Sequence, residues 1–291
     1  MKKYVIVKPN CRELANHLWN YLSIYAYGIE TGGRVFNPSF FEWHQYFNLI
    51  KKESFITGMT SYFPALKSVW RTICALYGSY LIRARARCVR LTLGITTFLP
   101  PTRPPAGEDT CETTYFIGWH FRNPVGLRRH RDTIIAAFTP KDDVLGKIGD
   151  TLAPFREKRL IGVHLRQQPY KGFPDGDFLI SISRVRRIIN EYLREKKLDA
   201  KDVALIIVSD KNINRTAFSD FTTHISHENE VTNLFLLSKC GIIIGSNSTF
   251  SNLAAWFGDV PHIVTTNEPM DWDYYRTPTT YFENKYAMFA Q

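Results

Sequence analysis

The stretch Gly162-Val-His-Leu-Arg-Gln-Gln-Pro-Tyr170 is an apolar run that ends abruptly in polar residues. Because alternate side chains of a strand share one face, His164 and Arg166 are expected to project together from the carboxyl end of a strand. Open α/β sheets bind their ligands at this edge. A guanidinium matches phosphate oxygens with a planar fork of donors, and an imidazole beside it can contact a base or a sugar. The pattern allows two interpretations, a phosphate-binding strand end or an arginine that pairs with a structural carboxylate.

A second polar corner follows downstream. An apolar helical pattern over 231–240 gives way to the buried-strand run Gly241-Ile-Ile-Ile-Gly245, and another helix is predicted over 252–257. The loop between this strand and the last helix is rich in hydroxyl groups. At a helix N-terminus, backbone N–H groups and the helix dipole favour an anion, and hydroxyls that cap the helix do not exclude one. The hydroxyl residues of this loop are Ser246, Ser248 and Thr249.

These two corners resemble motifs of the α-1,2-fucosyltransferase and protein O-fucosyltransferase superfamily. Two further segments are similar to that family. The opening strand Tyr4-Val-Ile-Val-Lys8 and the helical stretch 14–32 resemble its first loop and helix, and Ile117-Gly-Trp-His-Phe-Arg122 is similar to a segment of its bacterial members. The four segments occur in the family's order and span most of the chain.

The resemblance implies an α/β protein of the GT-B type, with two Rossmann-like domains and the donor site in the cleft between them. It implies an inverting, metal-independent glycosyltransferase that takes fucose from GDP-fucose and needs no cofactor. Arg166 would hold the donor diphosphate and His164 would lie against the guanosine, which makes them the catalytic candidates. Other donor-binding candidates that the resemblance implies are Asn16 from the first loop, Asp210 from a Ser-Asp motif, Asn233, Ser246, Ser248 and Thr249.

The chain also departs from the family pattern. Gln167 and Pro169 stand where family members commonly have an Arg and an Asp, and Ala15 replaces a glycine of the first loop. Asn233 stands where the family has an Asp that contacts guanine, and an amide is a poorer acceptor for the N–H groups of the base. The identity of the donor sugar is therefore less well supported than the activity of glycosyl transfer. The alternatives are another nucleotide sugar, or a non-catalytic protein that binds nucleotide sugars or polyanions.

A metal site and a general base are not indicated. Asp271-Trp-Asp273 has the spacing of a metal motif but lies near the C-terminus, outside a strand-to-loop context. Asp175, Asp177 and Glu230 are base candidates by position alone. The cysteines are odd in number and lack a C-x-x-C pair, so neither a zinc site nor a disulfide framework is expected. They are Cys11, Cys74, Cys88, Cys111 and Cys240.

The formal net charge of +10 is concentrated in two arginine clusters. Such clusters beside apolar residues can hold a protein on an anionic leaflet, where a lipid-linked glycan acceptor would sit. A solvated face, or arginines paired with acids elsewhere in the fold, explains them equally well. No nucleic-acid recognition motif accompanies them. The clusters are Arg83, Arg85, Arg87 and Arg90, and Arg128, Arg129 and Arg131.

The sequence divides into two predicted domains, an acceptor-side Rossmann-like domain over 1–151 and a donor-binding domain over 152–291. In the second, strands over 160–165, 203–208 and 241–245 alternate with helices, which predicts a parallel sheet with right-handed crossovers. The apolar run 260–264 contains a proline and is expected to be an edge strand. No apolar run reaches the roughly 18 residues of a membrane span. We therefore expect a cytoplasmic protein, peripheral at most at the inner face of the membrane, and the resemblance implies an enzyme of bacterial surface polysaccharide assembly.

Overall fold

The structure is a computed structural model of the chain. It describes residues 1–7, 11, 13–40, 42–48, 69, 72, 76, 88–92, 95–99, 111–167 and 179–287. The chain forms two compact units, Met1–Lys141 and Asp142–Gln291. The division lies ten residues before the boundary expected from the sequence, because the helix Asp142–Leu152 is part of the second unit.

The described residues of the first unit form parallel sheets and α-helices. Its strands are β1 (Lys3–Val7), β2 (Arg34–Phe36), β3 (Val89–Leu91), β4 (Thr97–Phe98), β5 (Thr113–Ile117) and β6 (Phe121–Arg122). Its helices are α1 (Leu14–Thr31), α2 (Pro124–Arg129) and α3 (Arg131–Ala137), with 3₁₀ turns at Pro38–Phe40 and His44–Tyr46. Four strands form a sheet in the order β2-β1-β5-β3, and β4 pairs with β6. All of these pairings are parallel.

Helix α1 ties the sheet to the segment after β5. The Asn20 side chain donates to the carbonyl of Gly118 over 3.3 Å and accepts from the N–H of Phe121 over 3.3 Å. Gly118 has a φ of +99°, a conformation that side chains with a Cβ rarely adopt. The motif 117–122 that the sequence singled out is therefore a tight turn held by an amide on the neighbouring helix.

One expectation about the cysteines is wrong. Cys88 and Cys111 form a disulfide, with their Cα atoms 6.3 Å apart. They lie just before β3 and β5, which are neighbouring parallel strands, so the amino ends of the two strands bring the thiols together. Cys11 and Cys240 are free thiols.

The second unit contains a fully parallel five-stranded sheet in an alternating α/β arrangement. Its strands are β7 (Arg159–Leu165), β8 (Val203–Ser209), β9 (Thr222–Ile225), β10 (Ile242–Gly245) and β11 (His262–Val264). Its helices are α4 (Asp142–Leu152), α5 (Ile182–Lys196), α6 (Glu230–Ser238), α7 (Thr249–Gly258) and α8 (Trp272–Tyr275). It also has 3₁₀ turns at Ala153–Phe155, Ala200–Asp202, Arg215–Phe218 and Tyr281–Glu283.

The strand order of this sheet is β11-β10-β7-β8-β9. The six residues from Val203 to Val208 are all buried, which is why β8 reads as a continuous apolar run typical of a strand covered on both faces. The predicted edge strand is β11, and the opposite edge is β9. The chain runs from β7 outward to β8 and β9 and then returns to β10 on the other side of β7. The order of connection therefore reverses between β7 and β10.

Several sequence predictions fall on residues that the structure does not describe. They concern the arginines at 83, 85 and 87, the proline at 169, and the base candidates Asp175 and Asp177. Arg90 is described, and its guanidinium packs over the rings of Tyr27 and Phe116. Arg129 forms an ion pair of 3.2 Å with Glu30. Within the described ranges, no helix combines the length and apolar character needed to cross a membrane.

Candidate functional site

The site is built where the carboxyl ends of β7 and β10 lie side by side. Gly245, the last residue of β10, is in register with His164 near the end of β7. A Cβ at Gly245 would lie 3.0 Å from the Cβ of His164 and 3.0 Å from the Oγ of Ser251, so a larger residue here would require these neighbours to shift. Because the order of connection reverses here, helices leave the two strands toward opposite sides, and a crevice is expected between them.

His164 contacts two serines at the start of α7. Its Nδ1 lies 2.7 Å from the Oγ of Ser251 and 3.3 Å from the Oγ of Ser248. The two hydroxyl oxygens are 3.2 Å apart. The ring of Phe250 lies 5.0 Å from the imidazole, centroid to centroid. The strand end and the helix start are thus joined through one imidazole nitrogen.

Burial and a neighbouring charge keep His164 neutral. Loss of hydration and, second, the positive charge of Arg166 lower the pKa of His164 from 6.5 to about 4. The imidazole is therefore uncharged near neutral pH. Its Nε2 has no hydrogen-bond partner among the described residues. A neutral imidazole can direct this nitrogen to a ligand as either a donor or an acceptor, depending on the tautomer.

The loop after β10 carries the three hydroxyl residues that the sequence singled out. Ser248 is the N-cap of α7, and its Oγ accepts the N–H of Ser251 over 3.2 Å. Ser246 is 2% exposed, and its hydroxyl has no hydrogen-bond partner among the described residues. Thr249 is the first residue of the helix. The N–H groups of the first helical turn have no partner inside the helix, so this corner suits an anion.

Arg166 and Asp210 lie at the ends of adjacent strands. Leu165 of β7 is in register with Ser209 of β8, which places the following residues, Arg166 and Asp210, at the same edge. The Asp210 carboxylate accepts the backbone N–H of Gln167 over 2.7 Å. This bond fixes the backbone at the point where the chain leaves β7. Asp210 therefore supports the segment that carries the guanidinium.

A buried network of hydrogen bonds supports the loop between β10 and α7, which carries Ser246 and Ser248. The imidazole Nδ1 of His262 lies 2.9 Å from the Oδ1 of Asn252, and its Nε2 lies 3.3 Å from the carbonyl oxygen of Gly245. Asn252 also donates to the side-chain oxygen of Asn247 over 3.1 Å. Asn284 donates to the carbonyl of His262 over 2.7 Å. The loop between β10 and α7 is thereby fixed to β11.

Asn233 has contacts of a different kind. Its Oδ1 accepts from the hydroxyl of Ser226 over 2.6 Å, and its Nδ2 donates to the carbonyl of Glu228 over 2.8 Å. Both ends of the amide are thus engaged by the loop that joins β9 to α6. These side-chain bonds of Asn233 hold this loop and do not reach the serines at the start of α7.

Asn16 belongs to the first unit, in the first turn of α1. Its Nδ2 donates to the carboxylate of Glu13 over 3.2 Å. Its Oδ1 is buried and has no hydrogen-bond partner among the described residues. An unsatisfied buried carbonyl is costly, so this oxygen is a candidate ligand contact on the first unit.

The Asp-x-Asp sequence near the C-terminus is structural. Asp271 is the N-cap of α8, and its carboxylate also contacts Lys285 at 3.0 Å and the hydroxyl of Tyr286 at 2.7 Å. These contacts lower the pKa of Asp271 to about 2, the bond from Tyr286 being the largest cause. Across the described part of the chain, no three His, Cys, Asp or Glu side chains converge as metal ligands.

Sequence reasoning missed the residues that support the site. Ser251, Asn252 and His262 were not singled out, although all three are buried beside predicted site residues. Ser251 follows the cap Ser248 by three residues, and this spacing returns a side chain to the same side of the helix start. His262 carried no comparable signal, because its contacts depend on β11 lying next to β10.

The fold and the strand-end site together define an α/β protein with the fold of the GT-B fucosyltransferases. A mutant of Arabidopsis thaliana FUT1 in complex with GDP matches with a TM-score of 0.54 and 15% identity over 92% of this chain and 71% of that one. NodZ from Bradyrhizobium matches with a TM-score of 0.53, and NodZ α-1,6-fucosyltransferase soaked with GDP-fucose with 0.52. Each NodZ match has 13% identity and covers 93% of this chain and 97% of that one.

No protein-family model matches the sequence, and no curated protein matches it. The likeness is therefore carried by the fold. The fold class predicted from the sequence, a mixed α/β chain with parallel Rossmann-like sheets, is confirmed, as is the predicted resemblance to fucosyltransferases at the level of structure.

Proposed function

We propose that the chain is a glycosyltransferase that uses GDP-fucose as its donor. One observation carries the proposal. A neutral imidazole, a guanidinium and a hydroxyl-rich helix start occupy adjacent strand ends at the reversal point of a parallel sheet. The fold is one that solved fucosyltransferases share, including a FUT1 complex with GDP and a NodZ crystal soaked with GDP-fucose.

The arrangement suits a nucleoside diphosphate that leaves a sugar. Cleavage of the bond to the anomeric carbon builds negative charge on the departing phosphate, so fixed cations and N–H donors near it lower the barrier. Arg166 supplies a permanent charge with a planar set of donors. The N-terminus of α7 supplies backbone donors, and the buried hydroxyl of Ser246 supplies one more. In this proposal Ser248 and Thr249 contact the phosphates.

His164 acts in this proposal as a neutral group against the donor. Because its pKa is lowered to about 4, the imidazole of His164 is uncharged near neutral pH and does not act beside Arg166 as a second cation. It offers a directional hydrogen bond from Nε2 to an oxygen of the nucleotide. Arg166 and His164 are the two residues proposed as catalytic, in addition to the phosphate contacts of Ser248 and Thr249.

The finer parts of the proposal extend this activity. We place the donor site on the second unit, with Asn233 near the base, and we propose Asn16 as a further donor-binding residue. The acceptor is a glycan of bacterial surface polysaccharide assembly, the transfer inverts the anomeric centre, and no metal takes part. The acceptor can be lipid-linked, which would bring the protein to a membrane surface. The Cys88–Cys111 disulfide weighs against a cytosolic location, because disulfides are typical of oxidising compartments.

Calorimetry with GDP and GDP-fucose tests the proposal directly. We expect binding by the wild-type chain and a loss of about 10- to 100-fold in GDP affinity for Arg166→Ala, as for removal of a hydrogen-bonded charge. Arg159→Ala is the matched control, because Arg159 is exposed at the opposite end of the same strand. Equal affinities for wild type and Arg166→Ala would refute the role of the strand end.

A second candidate keeps the enzyme class and changes the donor. It is favoured by the engagement of both ends of the Asn233 amide by Ser226 and Glu228, which leaves little capacity to recognise guanine. The same calorimetric experiment with UDP-sugars separates the two candidates. Tight binding of a UDP-sugar without any response to GDP would replace the first with the second.

A further inference from the structure

The hydroxyl group of Ser251 lies against the imidazole in a position that a ligand cannot reach directly. Ser251 is 0% exposed, and its Oγ lies 2.7 Å from the Nδ1 of His164. Gly245 packs so closely behind it that an added Cβ would come within 3.0 Å of this oxygen. The serine is therefore placed to act on the histidine and not on a substrate.

The hydrogen bonds of the cluster decide which imidazole nitrogen carries the proton. The Oγ of Ser248 already accepts the backbone N–H of Ser251. If Nδ1 carried the proton, it would donate to Ser251, whose hydroxyl would then donate to Ser248. The hydroxyl hydrogen of Ser248, a residue that is 3% exposed, would have no acceptor left in the cluster. A buried donor without an acceptor is costly.

The opposite arrangement satisfies both hydroxyl hydrogens of the cluster and leaves the ring N–H as the donor that is available to water or a ligand. Ser248 donates its hydroxyl to the Oγ of Ser251 over 3.2 Å, and Ser251 donates its hydroxyl to Nδ1 over 2.7 Å. The proton of the neutral ring then resides on Nε2. This nitrogen has no partner among the described residues, and burial, together with the charge of Arg166, disfavours a second proton on the ring.

We propose that Ser251 is a positioning residue that holds His164 as its Nε2–H tautomer, so that the ring donates a hydrogen bond to an oxygen of the bound diphosphate or ribose. The inference rests on the proposed function for the identity of the ligand. The tautomer itself is a property of the unliganded protein. Without the Ser251 hydroxyl, a lone pair on Nε2 could face the anion, which would repel it.

Nitrogen NMR of the histidine side chains tests the tautomer on the unliganded full chain. We expect the His164 ring to show a protonated Nε2 and an unprotonated Nδ1 near neutral pH, with the signal assigned by its loss in His164→Gln. Ser251→Ala should shift the ring toward a mixture of tautomers. A protonated Nδ1 in the wild-type spectrum, or an unchanged spectrum in Ser251→Ala, overturns the proposal.

GDP binding supplies the second readout. We expect about a tenfold loss of GDP affinity in Ser251→Ala, the size of one hydrogen bond to a charged group. Ser251→Thr keeps the hydroxyl, so restoration of both the NMR signal and the affinity supports positioning over a general structural role. Thermal unfolding of each variant shows whether it is folded. A folded Ser251→Ala with wild-type affinity overturns the proposal.

The pH dependence gives a third readout. With Nδ1 no longer occupied by a hydroxyl donor, His164 in Ser251→Ala is expected to accept a proton at higher pH than in the wild type. The charged group that lowers the pKa of this ring is Arg166 on the same strand end, and the second titratable neighbour is His262 on β11. A wild-type chain that fails to bind GDP refutes the proposed function, whereas the NMR spectrum still decides the tautomer.

Discussion

His262 is expected to make the second unit sensitive to acid. The side chain is 1% exposed, and burial, with a smaller effect of the neighbouring His164, lowers the pKa of His262 from 6.5 to about 4. The carbonyl of Gly245 opposes this by accepting a hydrogen bond from the ring. In the unfolded chain the imidazole titrates near its ordinary pKa. Between these two values the unfolded chain binds more protons than the folded protein.

The sign and size of the effect follow from this difference. The folded protein is favoured above pH 6.5, and the contribution is lost as the pH falls toward the folded pKa of about 4. A shift of one pKa unit corresponds to about 1.4 kcal/mol. Relative to its value above pH 6.5, the free energy of unfolding is therefore lowered by His262 alone by about 2 kcal/mol at pH 5 and about 3 kcal/mol at pH 4. His164 has a lowered pKa as well and adds to the same decline.

Urea unfolding at several pH values measures this contribution. We expect His262→Asn to be less stable than wild type at pH 7, because a buried ring is lost, and the difference from wild type to shrink by about 2 kcal/mol between pH 7 and pH 5. Comparing the two proteins at each pH removes the contribution of carboxylates, which both share. His227→Asn serves as the control, because His227 is exposed on the loop after β9.

A stability difference between wild type and His262→Asn that does not change with pH would have a definite structural meaning. His262 faces two acceptors, the Oδ1 of Asn252 at 2.9 Å and the carbonyl of Gly245 at 3.3 Å. A protonated ring would donate to both, whereas a neutral ring can donate to only one. If the stability difference between wild type and His262→Asn stayed constant from pH 7 to pH 5, the two acceptors would outweigh burial. The assignment of a neutral His262 would then be refuted.

Two further substitutions test the packing of the site. Gly245→Ala is expected to lower the free energy of unfolding by about 1–3 kcal/mol and to weaken GDP binding, because the new methyl group would push β10 away from β7. Urea unfolding and calorimetry measure the two effects. The control is Gly241→Ala, because its added Cβ has one contact, at 3.6 Å. Asn233→Asp is expected to lower stability by about 1–3 kcal/mol, because a carboxylate would replace the amide that donates to the carbonyl of Glu228. Asn229→Asp keeps the N-cap of α6 and should be neutral or stabilising, so equal losses in both variants would contradict this account.

The parallel sheet of the second unit was predictable because its strands are short apolar runs that end in polar residues. The predicted strand at 160–165 appears as β7, and the predicted corner at Ser246 to Thr249 appears as the start of α7. Both signals are local, since a buried strand must be apolar and a helix start needs caps. The pairing of the two corners depends on strand order, which these local signals do not encode.

What the sequence did not reveal depends on contacts between distant segments. β9 is an edge strand with a mixed burial pattern, so its residues, Thr222–Ile225, carry no clear apolar signal. The Cys88–Cys111 disulfide requires β3 and β5 to be neighbours. The contact of His262 with Asn252 requires β11 to lie beside β10. No local pattern encodes these three neighbours.

The supporting residues explain why the site can combine a guanidinium with a neutral histidine. Burial of the ring lowers the pKa of His164, and the positive charge of Arg166 acts in the same direction. Ser251 then determines which nitrogen carries the single remaining proton, and Gly245 lets the serine approach closely enough to do so. An anion bound in the crevice would thus meet a permanent cation, helix N–H groups and one directed imidazole donor. Because these parts come from β7, β10 and α7, a shift between the two strands alters all of them together, and the packing at Gly245 becomes as important to the chemistry as the groups that touch the ligand.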